Sequence, residues 1–266
     1  VFVDPANLIT YLALGAGAGV IAGLLGVGGG LIIVPVLALV FHGARMPESV
    51  IMHLAIGTSL ATIVMTSSAS VFTHHRHGTV MWRVFVWIAP GIILGAMLGS
   101  GLAARLHSDN LKLIFGIFEL VIALQLLLDV KPRASRRLAG PTGLGAAGGV
   151  IGFISALLGI GGGTMTVPFL VWCNVSIHQA VGTSAAVGLS IALAGALGYV
   201  VTGLNDAAVP AHSLGYVYWP ALLCIAAASL LAAPLGATLA YHLPTTVLKR
   251  LFALLLAGLG IWMLRG

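Results

Sequence analysis

The chain has 266 residues, 59% of them hydrophobic and only 7% charged, with a mean hydropathy of +1.12. A soluble domain carries about 25% charged residues, so this composition excludes a water-coated globule and points to a chain that lives in a bilayer. The net charge of +6 reads as loop lysine and arginine on the cytoplasmic side, and no nucleic-acid partner is expected.

In chain order, Asp4-Pro5-Ala6-Asn7 has the residues of a first helix cap, and the stretch around it lacks the basic n-region of a signal peptide. Apolar stretches cover about 8–41, 49–73, 84–104 and 111–128. A basic segment with Lys131, Arg133, Arg136 and Arg137 follows. Further apolar stretches cover about 143–172, 177–202, 215–241 and 247–264. Stretches this apolar are helices, because a lipid-facing backbone must satisfy its own hydrogen bonds. The expected fold is therefore an all-α polytopic membrane protein. Cys173 and Cys224 lie inside apolar stretches, with no C-x-x-C spacing, and read as small buried hydrophobes.

The two sets of four stretches repeat one another. Leu25-Gly26-Val27-Gly28-Gly29-Gly30 matches Leu158-Gly159-Ile160-Gly161-Gly162-Gly163, and in each case the first Gly precedes a proline (Pro35, Pro168) by nine residues. His53 with Gly57-Thr58-Ser59 matches His178 with Gly182-Thr183-Ser184, and Gly78 and Gly203 each follow 21 residues after the motif Gly. The Pro-to-His spacing is 18 in the first half and 10 in the second, so the first half carries a longer loop there. The chain divides into repeats over 1–130 and 141–266, joined by a basic cytoplasmic linker over 131–140.

The first stretch of each half is too long for one crossing. About 33 residues at ~1.5 Å each make a helix of ~50 Å, against a hydrocarbon core of ~30 Å. Successive glycines in its middle break it, at about 1 kcal/mol each against Ala. Each unit then either re-enters and returns to its own side or crosses as a broken helix. Gly-interrupted segments at matching positions of two halves are the best sequence pointer to a transport site. Close packing through small residues is the structural alternative for the same glycines.

Charge weighs the two topologies. With both broken units re-entrant and the halves inverted, the cytoplasmic side holds Arg76, Arg83, Lys131, Arg133, Arg136, Arg137, Lys249 and Arg250, against Arg45, Arg105, Lys112 and Arg265 outside. A single crossing per unit brings the split to seven against five. The positive-inside rule favours inversion.

Candidate substrate contacts are Gly28, Gly29, Gly30, Thr58, Ser59, Gly161, Gly162, Gly163, Thr164, Thr183 and Ser184. Hydroxyls and free N–H groups at helix N-termini suit an oxyanion without a buried counter-charge. The alternative for the hydroxyls is bonding to their own i−4 carbonyls. Glu119 is the one acid in mid-span, and intramembrane carboxylates are functional candidates by default. It could relay a proton or pair within the bundle. His53 and His178 are candidate titratable groups near the mouths. His74-His75-Arg76-His77 reads as a cytoplasmic loop, and no ligand spacing supports a metal.

The doubled Gly-x-Gly-Gly-Gly…Pro and Gly-Thr-Ser elements resemble the TauE/SafE family of sulfite and organosulfonate exporters, over nearly the whole chain. The resemblance implies a multi-pass inner-membrane permease for a small sulfur-containing anion, with no cofactor. Family elements fall on Gly26, Gly28, Gly29, Gly30, Pro35, Gly57, Thr58 and Ser59, and on Gly159, Gly161, Gly162, Gly163, Pro168, Gly182, Thr183 and Ser184. A secondary transporter with alternating access is the expectation, proton-coupled or driven by the anion's gradient, since no Gly-Lys-Ser/Thr nucleotide loop is present. A channel or uptake permease of the same fold is the near alternative. An intramembrane enzyme lacks a recognisable nucleophile–base pair or His-Glu-x-x-His. The oligomeric state stays open, with a homodimer among the options.

Overall fold

A computed structural model describes residues 5–25, 29–128, 138–240 and 245–265. Gly26, Gly28 and the basic segment 131–137 lie outside the described residues. The first half contains α1 (Pro5–Leu25), α2 (Gly30–Gly43), α3 (Ile51–Arg76), α4 (Trp82–Ala103) and α5 (Ser108–Leu127). The second contains α6 (Pro141–Leu158), α7 (Gly163–Trp172), α8 (Ile177–Gly203), α9 (Trp219–Ala240) and α10 (Thr245–Arg265). Among the described residues six helices are long and apolar enough to cross a membrane. Among the described residues the fold is all-α apart from a two-stranded hairpin, β1 (Ser213–Leu214) and β2 (Val217–Tyr218).

Local chemistry sets the boundaries. Pro141 opens α6 at a position where the missing N–H has no partner to lose. Gly159 ends that helix at φ +67°, a left-handed conformation that glycine adopts without a Cβ clash. Ser176 caps α8 by accepting the Gln179 N–H at 3.5 Å while its hydroxyl donates to the Gln179 side chain at 3.1 Å, so a serine N-cap satisfies one of the free N–H groups of the first turn.

Two boundaries differ from the sequence expectation. α3 runs on through His74, His75 and Arg76, so these residues form its last turn and not a loop. Arg76 there also complements the helix C-terminal dipole. The apolar run at Gly215–Tyr218 is hairpin, not the start of a helix. Positive φ at His212 and Gly215 turns the chain before Trp219 can begin α9.

The bundle has two ends. At one, the hairpin end, lie β1–β2; at the other, the linker end, α5 finishes and α6 starts. Tyr11 near the start of α1 and Phe41 near the end of α2 stack edge to face, with ring centroids 6.4 Å apart. Both rings also touch Tyr218 of β2, at 6.4 and 5.6 Å. The α1–α2 unit therefore enters from the hairpin end, breaks, and returns to it. The α6–α7 unit starts at the linker end, and α7 leads back there through the short connection to α8.

Helix contacts follow a regular plan. Residues 57, 60 and 67 of α3 face residues 199, 195 and 188 of α8, so these two helices run antiparallel. On α4, Gly91, Gly95 and Gly99 lie against Gly145, Gly149 and Phe153 of α6 so closely that a Cβ at any of the three would overlap backbone, the small-xxx-small packing of membrane helices. Gly148 and Gly152 of α6 press on Ile88 and Ile92 of α4, as Gly15 and Gly19 of α1 press on Ile225 and Ser229 of α9. The outer surface carries exposed Leu94, Met97, Leu98, Ile117, Val121 and Leu197, a lipid-compatible coat.

Candidate functional site

Both helix breaks lie in the middle of the bundle. A Cβ on Gly30, at the start of α2, would overlap the Gly159 carbonyl and Ile160, so the two broken units touch at their breaks. Two helix N-termini, at Gly30 and Gly163, thus begin inside the protein. Their first N–H groups have no intrahelical acceptor and present the positive ends of two helix dipoles.

Against these breaks lies a cavity of about 440 Å³. Gly29, Gly161, Gly162 and Gly163 line its deep end, and α3 lines its length with Ile63, Thr66, Ser67, Ser70, Thr73 and His74. Ser184 and Gly188 of α8 and Ser229 of α9 complete the polar contacts. His74 stands on the last turn of α3, so the cavity opens toward the linker end. Apolar side chains such as Ile33, Ile63, Val181 and Leu230 make up most of its walls, interrupted by hydroxyls, backbone and one imidazole, with no Lys, Arg, Asp or Glu among the lining residues. Thr66 donates to the Thr62 carbonyl, Ser184 to Val181 and Ser229 to the Gly15 carbonyl. Their oxygens keep acceptor capacity, and a rotated hydroxyl can donate to a ligand.

The sequence candidates divide. Gly29, Gly161, Gly162, Gly163 and Ser184 line the cavity, while Gly30 is buried in the contact between the breaks. Gly28 lies outside the described residues. Thr58 is fully buried and its hydroxyl accepts the Tyr218 backbone N–H at 3.0 Å. Thr183 is likewise buried and accepts the Met81 backbone N–H at 2.9 Å. Ser59 donates to the Gly159 carbonyl at 2.9 Å, tying α3 to the second break. The Thr164 hydroxyl is buried with no hydrogen-bond partner among the described residues. None of Thr58, Ser59, Thr164 and Thr183 borders the cavity.

Glu119 is fully buried on α5 against Gly260 of α10, with neither carboxyl oxygen hydrogen-bonded among the described residues, and it lies away from the cavity. His53 is buried, with Nε2 3.0 Å from the Ala103 carbonyl, whereas His178 is exposed near the start of α8. Ser67, Ser70 and Ser229 stand in the cavity wall without belonging to the repeated motifs. A signal for the first two was present, because Ser67, Ser70 and His74 recur at i, i+3 and i+7 on the motif helix.

At the hairpin end a second, smaller cavity of about 200 Å³ is bordered by Ser49, His53, Arg105, His107, Asp206 and Tyr216. The Tyr216 hydroxyl donates to Asp206 at 2.6 Å, and the Ala208 N–H donates to the same carboxylate at 2.9 Å. The Tyr216 hydrogen bond holds the Asp206 carboxyl below its ordinary range.

An apolar helical bundle with broken helices meeting at a solute-sized cavity that carries hydroxyls among apolar walls is the build of a multi-pass membrane transporter. Comparison with known proteins agrees. The family model described as Sulfite exporter TauE/SafE matches residues 11–263, and the chain belongs to that family. A probable membrane transporter protein of Haemophilus influenzae is 37% identical, covering 96% of this chain and 97% of its own length. A probable membrane transporter protein of Xylella fastidiosa is 30% identical over 97% and 95%, and YunE of Bacillus subtilis, of the same description, 26% identical over 96% of each. No solved structure matches the chain.

Proposed function

We propose that this chain is a secondary transporter that exports a small sulfur-containing anion, sulfite or a sulfonate such as sulfoacetate, across the inner membrane by alternating access. The observation that carries the proposal is the convergence of the Gly29 and Gly161–Gly163 breaks on one hydroxyl-lined cavity. Oriented N–H groups and hydroxyls solvate an oxyanion, and the lack of a fixed cationic counter-charge lets it leave again. The volume falls within the roughly 300–1,000 Å³ of small-molecule pockets. It admits a sulfonate with its organic tail as well as a hydrated sulfite.

Inverted repeats over 1–130 and 141–266 account for the reciprocal contacts. Thr58 of the first half takes an N–H from the second, Thr183 of the second takes one from the first, and both donors immediately precede a tryptophan that opens a helix. With both broken units re-entrant, the eight-to-four charge split applies and puts the linker end in the cytoplasm. The cavity then faces the cytoplasm, where an exporter loads. An interior-negative potential favours expulsion of an anion by ~2.3 kcal/mol per charge per 100 mV. Glu119, an unpartnered carboxyl inside the bundle, is the candidate for proton coupling.

Thermal-shift titration of the purified chain with sulfite, thiosulfate, sulfoacetate and taurine tests the substrate class. Saturable stabilisation by one or more of the anions supports the proposal. Absence of any shift up to tens of millimolar, with the protein folded, contradicts it.

A further inference from the structure

One stripe of α3 connects the two cavities. His53, Gly57, Leu60, Ile63, Ser67, Ser70 and His74 recur at helical spacing on one face. Ile63 through His74 border the central cavity, and His53 borders the smaller one. The stretch from Ile63 to His53 is about 15 Å of helix at 1.5 Å per residue. Between them Gly57 and Leu60 are closed over by α8 and the hairpin. A Cβ on Gly57 would overlap the Tyr216 carbonyl and approach the Tyr199 Cβ, and Leu60 packs at Gly195.

The closure is aromatic. Tyr199 is fully buried, with no partner for its hydroxyl among the described residues, and its ring stands edge to face with Tyr216, centroids 6.4 Å apart. The Tyr216 N–H donates to the Tyr199 carbonyl at 3.1 Å. The open end has the same backbone link in smaller residues, since the Thr79 N–H donates to the His74 carbonyl at 3.1 Å. Tyr199 follows Gly182 by 17 residues, as His74 follows Gly57. Tyr216 and Thr79 each stand three residues before the tryptophan that opens α9 or α4. Matching positions thus carry two tyrosines where the path is shut and a histidine and a threonine where it is open. A buried tyrosine hydroxyl without a partner carries a desolvation penalty, which hydration on opening relieves.

We propose that Tyr199 and Tyr216 form the outer gate of the solute path, and that the cavity beyond them, with Arg105 and His107 on its rim, is the outer vestibule through which the anion leaves. This rests on the inverted-repeat, alternating-access reading above.

Single reporters Tyr199→Cys and Ser70→Cys, each in the full chain carrying Cys173→Ala and Cys224→Ala, test it in vesicles of defined orientation. A membrane-impermeant methanethiosulfonate is applied from each face. Ser70→Cys is expected to react at least tenfold faster from the linker face, and Tyr199→Cys at least tenfold faster from the hairpin face. Reaction of Tyr199→Cys from the linker face, or from neither face while Ser70→Cys reacts, overturns the gate. Should Tyr199→Cys fail to assemble, Tyr216→Ala decides the matter. It is expected to release preloaded sulfite from proteoliposomes at least tenfold faster than the parent without external substrate, and parental tightness overturns the gate. Labelling needs no substrate, so it tests the gate even where sulfite is not the solute.

Discussion

The Thr58 hydroxyl accepts the backbone N–H of Tyr218 at 3.0 Å, 160 positions away in sequence, and Thr183 does the same for Met81 at 2.9 Å. The doubled Gly-Thr-Ser motif therefore fastens each half of the chain to the other. Replacing either threonine by valine keeps the shape but leaves a buried N–H unsatisfied, a loss of about 1–3 kcal/mol. Thr58→Val and Thr183→Val are expected to lower the melting temperature in detergent, and Thr58→Ser and Thr183→Ser to restore most of it. The folded fraction of each valine variant should keep its affinity for sulfite within about twofold.

Substrate affinity should instead follow the cavity hydroxyls. Ser67→Ala combined with Ser70→Ala removes two donors that border the central cavity. Hydrogen bonds to a charged group contribute about 1.5–3 kcal/mol each. The double variant is expected to raise the apparent KM for transported anion by tenfold or more, with little change in melting temperature, as read by initial uptake rates in proteoliposomes.

How much of this was legible in the sequence differs by feature. Apolar length and the interruption of the first stretch of each half were plain in the residues, and the described helices follow them to within a few positions. The return of α2 to the end where α1 starts was not, because it depends on a tertiary contact, that of Tyr11 with Phe41. The roles of Thr58 and Thr183 were hidden for the same reason, since their partners lie over a hundred residues away. The hairpin at Gly215–Tyr218 escaped because its residues are as apolar as a helix and only backbone φ values distinguish it.

Asp206 supplies a pH signature at the hairpin end. Its carboxyl is held below its ordinary 3.8 first by the Tyr216 hydroxyl, then by the Ala208 N–H, with His53 adding in the same direction. A carboxylate with a depressed folded-state pKa stabilises fully above its unfolded value, and the contribution is lost as pH falls through the folded one. The melting temperature of the wild type should therefore drop more steeply than that of Asp206→Asn below about pH 4. Above about pH 5 the two curves should run parallel.

Glu119 separates stability from coupling. An unpartnered buried carboxyl is costly to fold, so Glu119→Leu is expected to raise the melting temperature. If Glu119 carries the coupling proton, Glu119→Gln should also abolish the dependence of transport on an imposed pH gradient. Retention of that dependence in Glu119→Gln would remove the residue from the mechanism.

Counterflow of labelled sulfite tests the central claim most directly. Proteoliposomes loaded with unlabelled sulfite are diluted into trace labelled sulfite, and internal label is followed with time. A carrier with one site facing each side in turn gives transient accumulation of label above equilibrium, abolished without internal sulfite, and this overshoot is expected here. Simple equilibration of label irrespective of internal sulfite would make the protein a channel, and absence of flux for sulfite and the sulfonates alike would contradict the assignment altogether.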